Sequence, residues 1–419
     1  LCREARLSTL AHPRPDGRSF RIERRLKCLQ SAERVAFRFA PLPIAHCAAA
    51  RIADETLPHY CGHTNHEKRR LRTRFYVTPQ RRLGDTFQPR SAPARYDRSA
   101  EDLYAPVVQQ RVIGELTVSE IGLGCNNFGT RIDQEATDKI FAACLDNGIN
   151  FFDTADVYGS GASEEMLGRS MKGHRDQIVV ATKFGLRDID QGLTGGSAEW
   201  VRRSVDRSLR RLDTDWIDLF QIHTPDNKVP ERETLEALNS LIVAGKVREI
   251  GCSNYEAERL DNAADVASRE SLTPYRTVQN RYSLLYREPE REVLDVCRSH
   301  HIQFLPFFPL ESGLLTGKVT AQGPRPGTRL AEWPQERLDL FLTERNLTAA
   351  DRLQEWARNQ DRSLLELAFS WLLSNSSVPS VIAGATSAEQ VIANSNSSGW
   401  LLSESDRAEI DEMLDVDSA

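Results

Sequence analysis

Between residues 107 and 419 the chain alternates short apolar runs with segments whose apolar residues recur at helical spacing. The runs are Ile121–Gly124, Asn150–Ala155, Ile178–Phe184, Ile217–His223, Arg248–Asn254, Thr277–Tyr282, Gln303–Pro309 and Ser380–Gly384. Between them, sets such as Ile140, Cys144 and Leu145, or Leu235, Leu238, Leu241 and Ile242, mark one face of a helix. Val112–Val118 reads as a short hairpin, Leu364–Leu373 as an apolar helix and Arg407–Leu414 as the last helix. Eight strands alternating with helices predict an α/β fold, a (β/α)8 TIM barrel preceded by a hairpin. IVVATKFG (178–185) is continuously apolar, as a parallel strand covered on both faces should be. The competing fold, a doubly wound nucleotide-binding sheet, opens with GxGxxG after its first strand. Here Gly122-Leu123-Gly124 is followed by Asn127 where the third glycine belongs, so that fingerprint fails.

Charge divides the chain. Residues 1–105 carry 21 Lys+Arg against 11 Asp+Glu, and the rest carries 33 against 49, although the whole is only −6. The segment 1–105 is Arg-rich, nearly free of glycine and without sustained periodicity, so we expect a basic, disordered extension or an upstream translated segment rather than a folded domain. Two other readings exist. Glu4, Asp16, Glu23 and Glu33 argue against a targeting peptide, while Arg24-Arg25 and Lys68-Arg69-Arg70 would suit an arm for nucleic acid or a membrane surface. A chain that starts at Leu1 also reads as a fragment or a misplaced start. The expected division is therefore 1–105 as extension and 106–419 as barrel.

Composition adds exclusions. No uncharged apolar run reaches about 18 residues, so no membrane-spanning helix is expected. Cys61, His63 and His66 match no zinc spacing, and no CxxC pair occurs, so no metal is expected. Eight cysteines in a chain of this length point to reduced thiols and a cytoplasmic protein.

In such a barrel the chemistry sits where the strands end. The second run carries Asp153 near its end, with Tyr158 five residues on. The third run carries Lys183, the fourth ends at His223, the fifth at Ser253-Asn254, and the sixth holds Gln279 and Asn280. Each of the first four has an ordinary reading alone: a cap, a half-buried aromatic, a snorkelling stem, a satisfied core histidine. Together they suit proton transfer to a developing oxyanion. A lysine beside a tyrosine lowers the hydroxyl pKa, an aspartate holds the lysine charged, and a neutral histidine orients a carbonyl oxygen.

The order of motifs is similar to that of the aldo-keto reductases. They are GINFFDTADVYGSGASEEMLGRSM (148–171), VVATKFG (179–185), IDLFQIHTPD (217–226), GKVREIGCSN (245–254), VQNRYSLL (278–285), FFPLESGLLTGK (307–318) and SVIAGATSAEQV (380–391). The resemblance covers about 107–419. It implies Asp153, Tyr158, Lys183 and His223 as the catalytic tetrad of an NAD(P)H-dependent enzyme that reduces aldehydes or ketones, or runs the reverse reaction. It implies that Ser253, Asn254 and Gln279 meet the nicotinamide carboxamide and that Phe307 stacks on the ring where a tyrosine is common. Leu310, Ser312, Gly313 and Lys318 then fall on the stretch that wraps the pyrophosphate. At the adenosine end Gly384, Ala385 and Gln390 replace the familiar Lys-Ser pair and arginine, with Thr386, Ser387 and Asn394 left to hydrogen-bond. The loop type still favours NADP(H) over NAD(H).

The partners implied are a small carbonyl or alcohol substrate, with no nucleic acid for the barrel; the oligomeric state stays open. The loops expected over the mouth are Thr224–Pro230 and 311–348, where Trp333, Leu338, Leu340 and Phe341 would cap the cleft or pack the loop. Asn126, Asn127 and Phe128 are candidates for the cleft wall. Trp200 reads as the outer face of a helix start, and Cys125 and Cys252 as packing residues. The short stretch after the last helix predicts an open cleft. Two other readings share these residues: a regulatory subunit resembling potassium-channel β-subunits, and an aldolase or isomerase barrel with Lys183 forming a Schiff base.

Overall fold

Hydrophobic alternation produces the first element. The computed structural model describes residues 108–415 apart from 188, 321, 322 and 329, so the basic segment 1–105 lies outside the described residues. The strands β1 (Gln110–Ile113) and β2 (Leu116–Ser119) form an antiparallel hairpin with Ile113 opposite Leu116. Its turn requires glycine: Gly114 has φ +55°, and a Cβ there would lie 2.0 Å from Glu249 Oε1. That carboxylate accepts the Glu115 N–H at 2.8 Å. Ile113, Leu116 and Val118 are buried against Phe151, Val179, Leu219 and Ile382, so the hairpin plugs the amino-terminal end of the barrel.

The barrel strands follow: β3 (Ile121–Gly124), β4 (Phe151–Asp153), β5 (Val179–Phe184), β6 (Ile217–Ile222), β7 (Val247–Ser253), β8 (Thr277–Arg281) and β9 (Gln303–Phe307). A small antiparallel pair, β10 (Val319–Thr320) and β11 (Gly323–Pro324), lies in the long connection after β9, and β12 (Val381–Gly384) completes the barrel. The sheet order is β12-β3-β4-β5-β6-β7-β8-β9, with every neighbouring pair parallel. The Phe304 N–H donates to Ser377 O at 2.7 Å and draws the two outer strands together. The expected runs are the observed strands to within two residues at each end, most of them trimmed and β7 starting one residue earlier.

Helices separate the strands: α1 (Gln134–Asp146), α2 (Ala162–Ser170), α3 (Ala198–Leu212), α4 (Glu231–Val243), α5 (Ala257–Glu270) and α6 (Val293–His300). Then come α7 (Gln335–Phe341), α8 (Glu344–Asn359), α9 (Leu364–Leu373), α10 (Ala388–Ser395) and α11 (Glu404–Asp415). The helix α3 shows how sequence sets them. Ser197 caps it by accepting the Trp200 N–H, Val201, Val205 and Leu212 turn inward, and Asp213 ends it in the left-handed region. Trp200 departs from expectation. It is buried rather than outward, because it sits one turn before Ser204 on the core-facing stripe, with Arg207 over its ring at 4.9 Å. None of the described helices is long and apolar enough to cross a membrane.

The segment 311–348 is not one loop. It holds a tight helical turn at Glu311–Thr316, the β10–β11 pair, α7 and the start of α8. Trp333 and Leu338 pack on Leu314, Val319, Leu330 and Ala350, and the Phe341 ring meets Trp333 at 5.0 Å. Leu340 is 74% exposed and packs on nothing comparable.

Candidate active site

The carboxyl end of the barrel gathers the polar residues. Asp153 ends β4, Lys183 sits near the end of β5, and both are buried. Tyr158 opens a tight turn, Tyr158–Gly161, whose Gly159 and Gly161 have φ of 57° and 96°. A buried ammonium is costly unless its donors are used. Lys183 Nζ uses all three: Asp153 Oδ2 at 2.6 Å, Thr154 O at 3.0 Å and the Tyr158 hydroxyl at 3.5 Å. Burial works against its charge, but the Asp153 carboxylate and Tyr158 outweigh it and raise the lysine above its ordinary range.

Tyr158 corrects one expectation. Burial raises its hydroxyl pKa, and the opposing pull of Lys183 is insufficient to bring it below the ordinary value. The lysine lowers it as anticipated, yet desolvation wins. His223 follows β6 directly, its N–H donating to Phe184 O at 2.8 Å. Its ring meets Tyr158 edge-on, centroids 6.0 Å apart. Burial, then Lys183, then Arg187 push the imidazole down to about 3, so it is neutral at physiological pH.

Ser253, Asn254 and Gln279 lie beside this group and already serve one another. Ser253 Oγ donates to Gln279 O at 2.7 Å, and Asn254 Nδ2 donates to His223 O at 2.9 Å from a left-handed backbone of φ 60°. Gln279 Nε2 donates to Asp153 Oδ1 at 3.0 Å. That bond links the sixth barrel strand to the second and was missed by sequence reasoning, since the two residues are 126 positions apart. Asp153 is thereby held from both sides, by Lys183 and by Gln279.

A cavity of about 530 Å³ runs from Asp153, Tyr158 and His223 past Ser253, Asn254, Gln279 and Phe307 to Gly384, Thr386, Gln390 and Asn394. Leu310, Ser312, Gly313 and Lys318 line its middle, as do Asn126 and Asn127. Of the expected residues, Lys183 is sealed beneath Asp153 and Tyr158, Phe128 and Ala385 are buried in the core, and Ser387 lies outside the cavity; the others named for the tetrad and the cofactor line this one space. Its size is in the usual range for cofactor and substrate clefts. The residues also fit a dinucleotide chemically. Ser312 Oγ and Asn126 Oδ1 are buried without a partner, and Ser312 and Gly313, at φ 58° and 114°, turn the backbone tightly beside the cavity.

Other residues fall outside the expectations. Glu311, buried at φ 43°, accepts from Arg281 at 2.5 Å and Ser283 at 2.7 Å and pins the start of that turn. Arg131 also lines the cavity and pairs with Glu332. Gln390 Oε1 accepts the Thr386 N–H at 2.9 Å, which leaves its amide N–H as a neutral donor at the far end. Cys125 and Cys252 are buried, and burial pushes both thiols well above the ordinary range, so they pack rather than react.

Residues 120–415 match the Aldo/keto reductase family. The chain belongs to that family. Among the relatives of this aldo/keto reductase is Aldo-keto reductase YhdN of Bacillus subtilis (strain 168), 35% identical over 309 residues, 72% of this chain and 91% of the relative. A "Probable voltage-gated potassium channel subunit beta" of Oryza sativa subsp. japonica is 33% identical over 288 residues, 67% of this chain and 87% of the relative. Among solved structures, the glycerol dehydrogenase AKR11B4 from Gluconobacter oxydans superimposes with a TM-score of 0.63 at 28% identity, covering 74% of this chain and 96% of that one. The reductase thus shares its barrel with a glycerol dehydrogenase.

Proposed function

We propose that this aldo/keto reductase uses residues 106–419 to reduce aldehydes or ketones to alcohols, or to run the reverse reaction, in a reducing cytoplasmic compartment. A nicotinamide cofactor, when bound, supplies or accepts the hydride equivalent. Tyr158 donates the proton to the carbonyl oxygen, and its hydroxyl is well suited to do so because burial keeps it protonated. Lys183, held by Asp153 and Thr154, stabilises the phenolate left behind. His223, kept neutral, orients the carbonyl oxygen. Asn254, Gln279, Ser312, Gly313 and Lys318 would hold the cofactor along the cavity. We favour NADP(H) over NAD(H) on the type of the loop GATSAEQ (384–390); the donors at Thr386, Gln390 and Asn394 are neutral and bind phosphate less strongly than a cation would, so the expected discrimination is modest.

The observation carrying this reading is the chain Asp153–Lys183–Tyr158 beside a neutral His223 at the floor of one long cavity. Similarity to a potassium-channel subunit favours a second reading, a cofactor-binding regulatory subunit. The aldolase reading is weak, because Lys183 is held charged with all three donors engaged and is a poor nucleophile. The test is NADPH and NADH binding by quenching of tryptophan fluorescence, followed by turnover of an aldehyde panel by wild type and Tyr158→Phe. The reductase reading expects binding by both proteins and a loss of about 10²–10⁴-fold in turnover for the variant. Binding without turnover by the wild type favours the regulatory subunit, and no binding removes both readings.

A further inference from the structure

The loop between β3 and α1 forms part of the cavity wall and is fixed on three sides. At its start the Cys125 N–H donates to Asp153 O at 2.8 Å, and Ser163 Oγ donates to Cys125 O at 2.8 Å. Those two bonds tie it to the strand end that carries Asp153 and to α2. Asn127 Nδ2 donates to Ala385 O at 3.3 Å, just beyond β12, and Asn127 O accepts the Arg131 N–H at 2.9 Å. Phe128 O and Gly129 O lie against the Tyr158 turn, since a Cβ on Gly159 would sit 3.4 Å from each. Asn126 is therefore set among β4, the Tyr158 turn and β12, and it lines the cavity.

Other amides on this wall are spent on the chain: Asn127 on Ala385 O, Asn254 on His223 O and Gln279 on Asp153. Asn126 differs. Its Oδ1 is buried without a partner, its Nδ2 donates to none of the described residues, and only its backbone oxygen accepts, from Thr130 Oγ1 at 2.9 Å. An amide offers two N–H donors and an oxygen with two lone pairs, and burying them unused is unfavourable. The space beside it is kept open by glycine: a Cβ on Gly384 would lie 3.4 Å from Asn126 Oδ1 and 3.2 Å from Asn127 Nδ2. The last torsion of an asparagine is soft, so a turn of the amide brings either its donor or its acceptor end to the cavity. The cation of the same loop, Arg131, is paired with Glu332, so what the loop offers a ligand is neutral.

We propose that Asn126 is a specificity-determining residue that hydrogen-bonds a hydroxyl group of the bound ligand. A hydroxyl both donates and accepts, so it meets whichever end of the amide is turned to it. It comes from one of two sources: a hydroxyl beside the carbonyl carbon of the substrate, or a ribose hydroxyl of the cofactor. In the first case a hydroxylated carbonyl compound is preferred over its methyl analogue, because the analogue leaves the amide unused. The loop is already held in place, so little conformational freedom is lost on binding. The proposal rests on the reductase reading for the first source, and on cofactor binding alone for the second.

The test uses the full chain with Asn126→Leu and Asn126→Ala, which both remove the amide but differ in bulk; thermal melting checks that each folds. In one arm, kcat/KM at saturating reduced cofactor is compared for 2-hydroxypropanal and 2-methylpropanal, whose hydroxyl and methyl groups are close in size. In the other, NADP⁺ and NAD⁺ binding is followed by quenching of tryptophan fluorescence with no substrate present. A substrate hydroxyl predicts that the hydroxy-to-methyl ratio falls about tenfold in both variants while cofactor affinity is unchanged. A ribose hydroxyl predicts about tenfold weaker cofactor binding in both, with the ratio unchanged. Either result supports the proposal. It is overturned if neither quantity moves, or if only one of two folded variants shows the loss, which would be an effect of bulk. If Asn126→Leu does not fold, Asn126→Ala decides alone. Should the wild type reduce neither aldehyde, the reductase reading fails and the cofactor arm decides: weaker binding in the variants supports the site, whereas equal binding, or none to the wild type, overturns it.

Discussion

The hydroxyl of Tyr158 is the residue whose surroundings matter most. Its pKa is raised, so it is protonated through the neutral range, and the proposed proton donation needs no further titration. His223, pushed down to about 3, stays neutral over the same range. Reduction should therefore give a kcat/KM without a break between about pH 5 and 9, and alcohol oxidation should climb into the alkaline range as the phenolate forms. A pH–rate profile in both directions checks this, and an inflection in reduction near the ordinary histidine pKa would contradict it. Gln279 gives a second prediction. Gln279→Leu removes the donor to Asp153 Oδ1 and leaves a buried carboxylate short of a partner. The expected cost is about 1–3 kcal/mol in denaturant unfolding, with weaker cofactor binding. That Asp153, Tyr158, Lys183 and His223 come together was legible because each stands at or just beyond the end of an apolar run. Their electrostatics were not, since the balance between burial and Lys183 at Tyr158 depends on how deeply the fold seals the hydroxyl. Nor was the Gln279–Asp153 bond, which exists only once the barrel closes.

Among elements, the strands were legible almost to the residue because a strand covered on both faces must be apolar throughout, as β5 is. The cavity-side turn and the helices α7 and α8 were not. Their order comes from remote contacts, Glu311 with Arg281 and Arg131 with Glu332, which leave no local period. Trp200 failed for a related reason: a helix start reads as exposed until the neighbouring helices cover it. The β1–β2 hairpin offers the sharpest element-level prediction. Gly114→Ala sets a Cβ against Glu249 at a left-handed φ. It should destabilise the fold by about 1–3 kcal/mol in thermal or denaturant melts, while leaving KM for cofactor unchanged. By contrast, Ser363→Ala removes only the cap of α9, where Ser363 and Glu366 bond reciprocally, and should cost about 1 kcal/mol.

For the whole molecule, the charge split suggests a division of labour. The described barrel holds every candidate site residue, and Val108, the first described residue, is buried. A chain starting at residue 106 should therefore bind NADPH as the full chain does, measured by tryptophan quenching, and a large loss of affinity would assign the basic segment a role in the site. The barrel itself is sealed at the hairpin end and open only at the other. Durability and turnover thus belong to opposite poles of the same cylinder. Substitutions that tighten the plug around Phe151 and Val179 can lengthen the protein's working life without touching the residues that set its rate, a freedom denied to enzymes whose clefts cut through their cores.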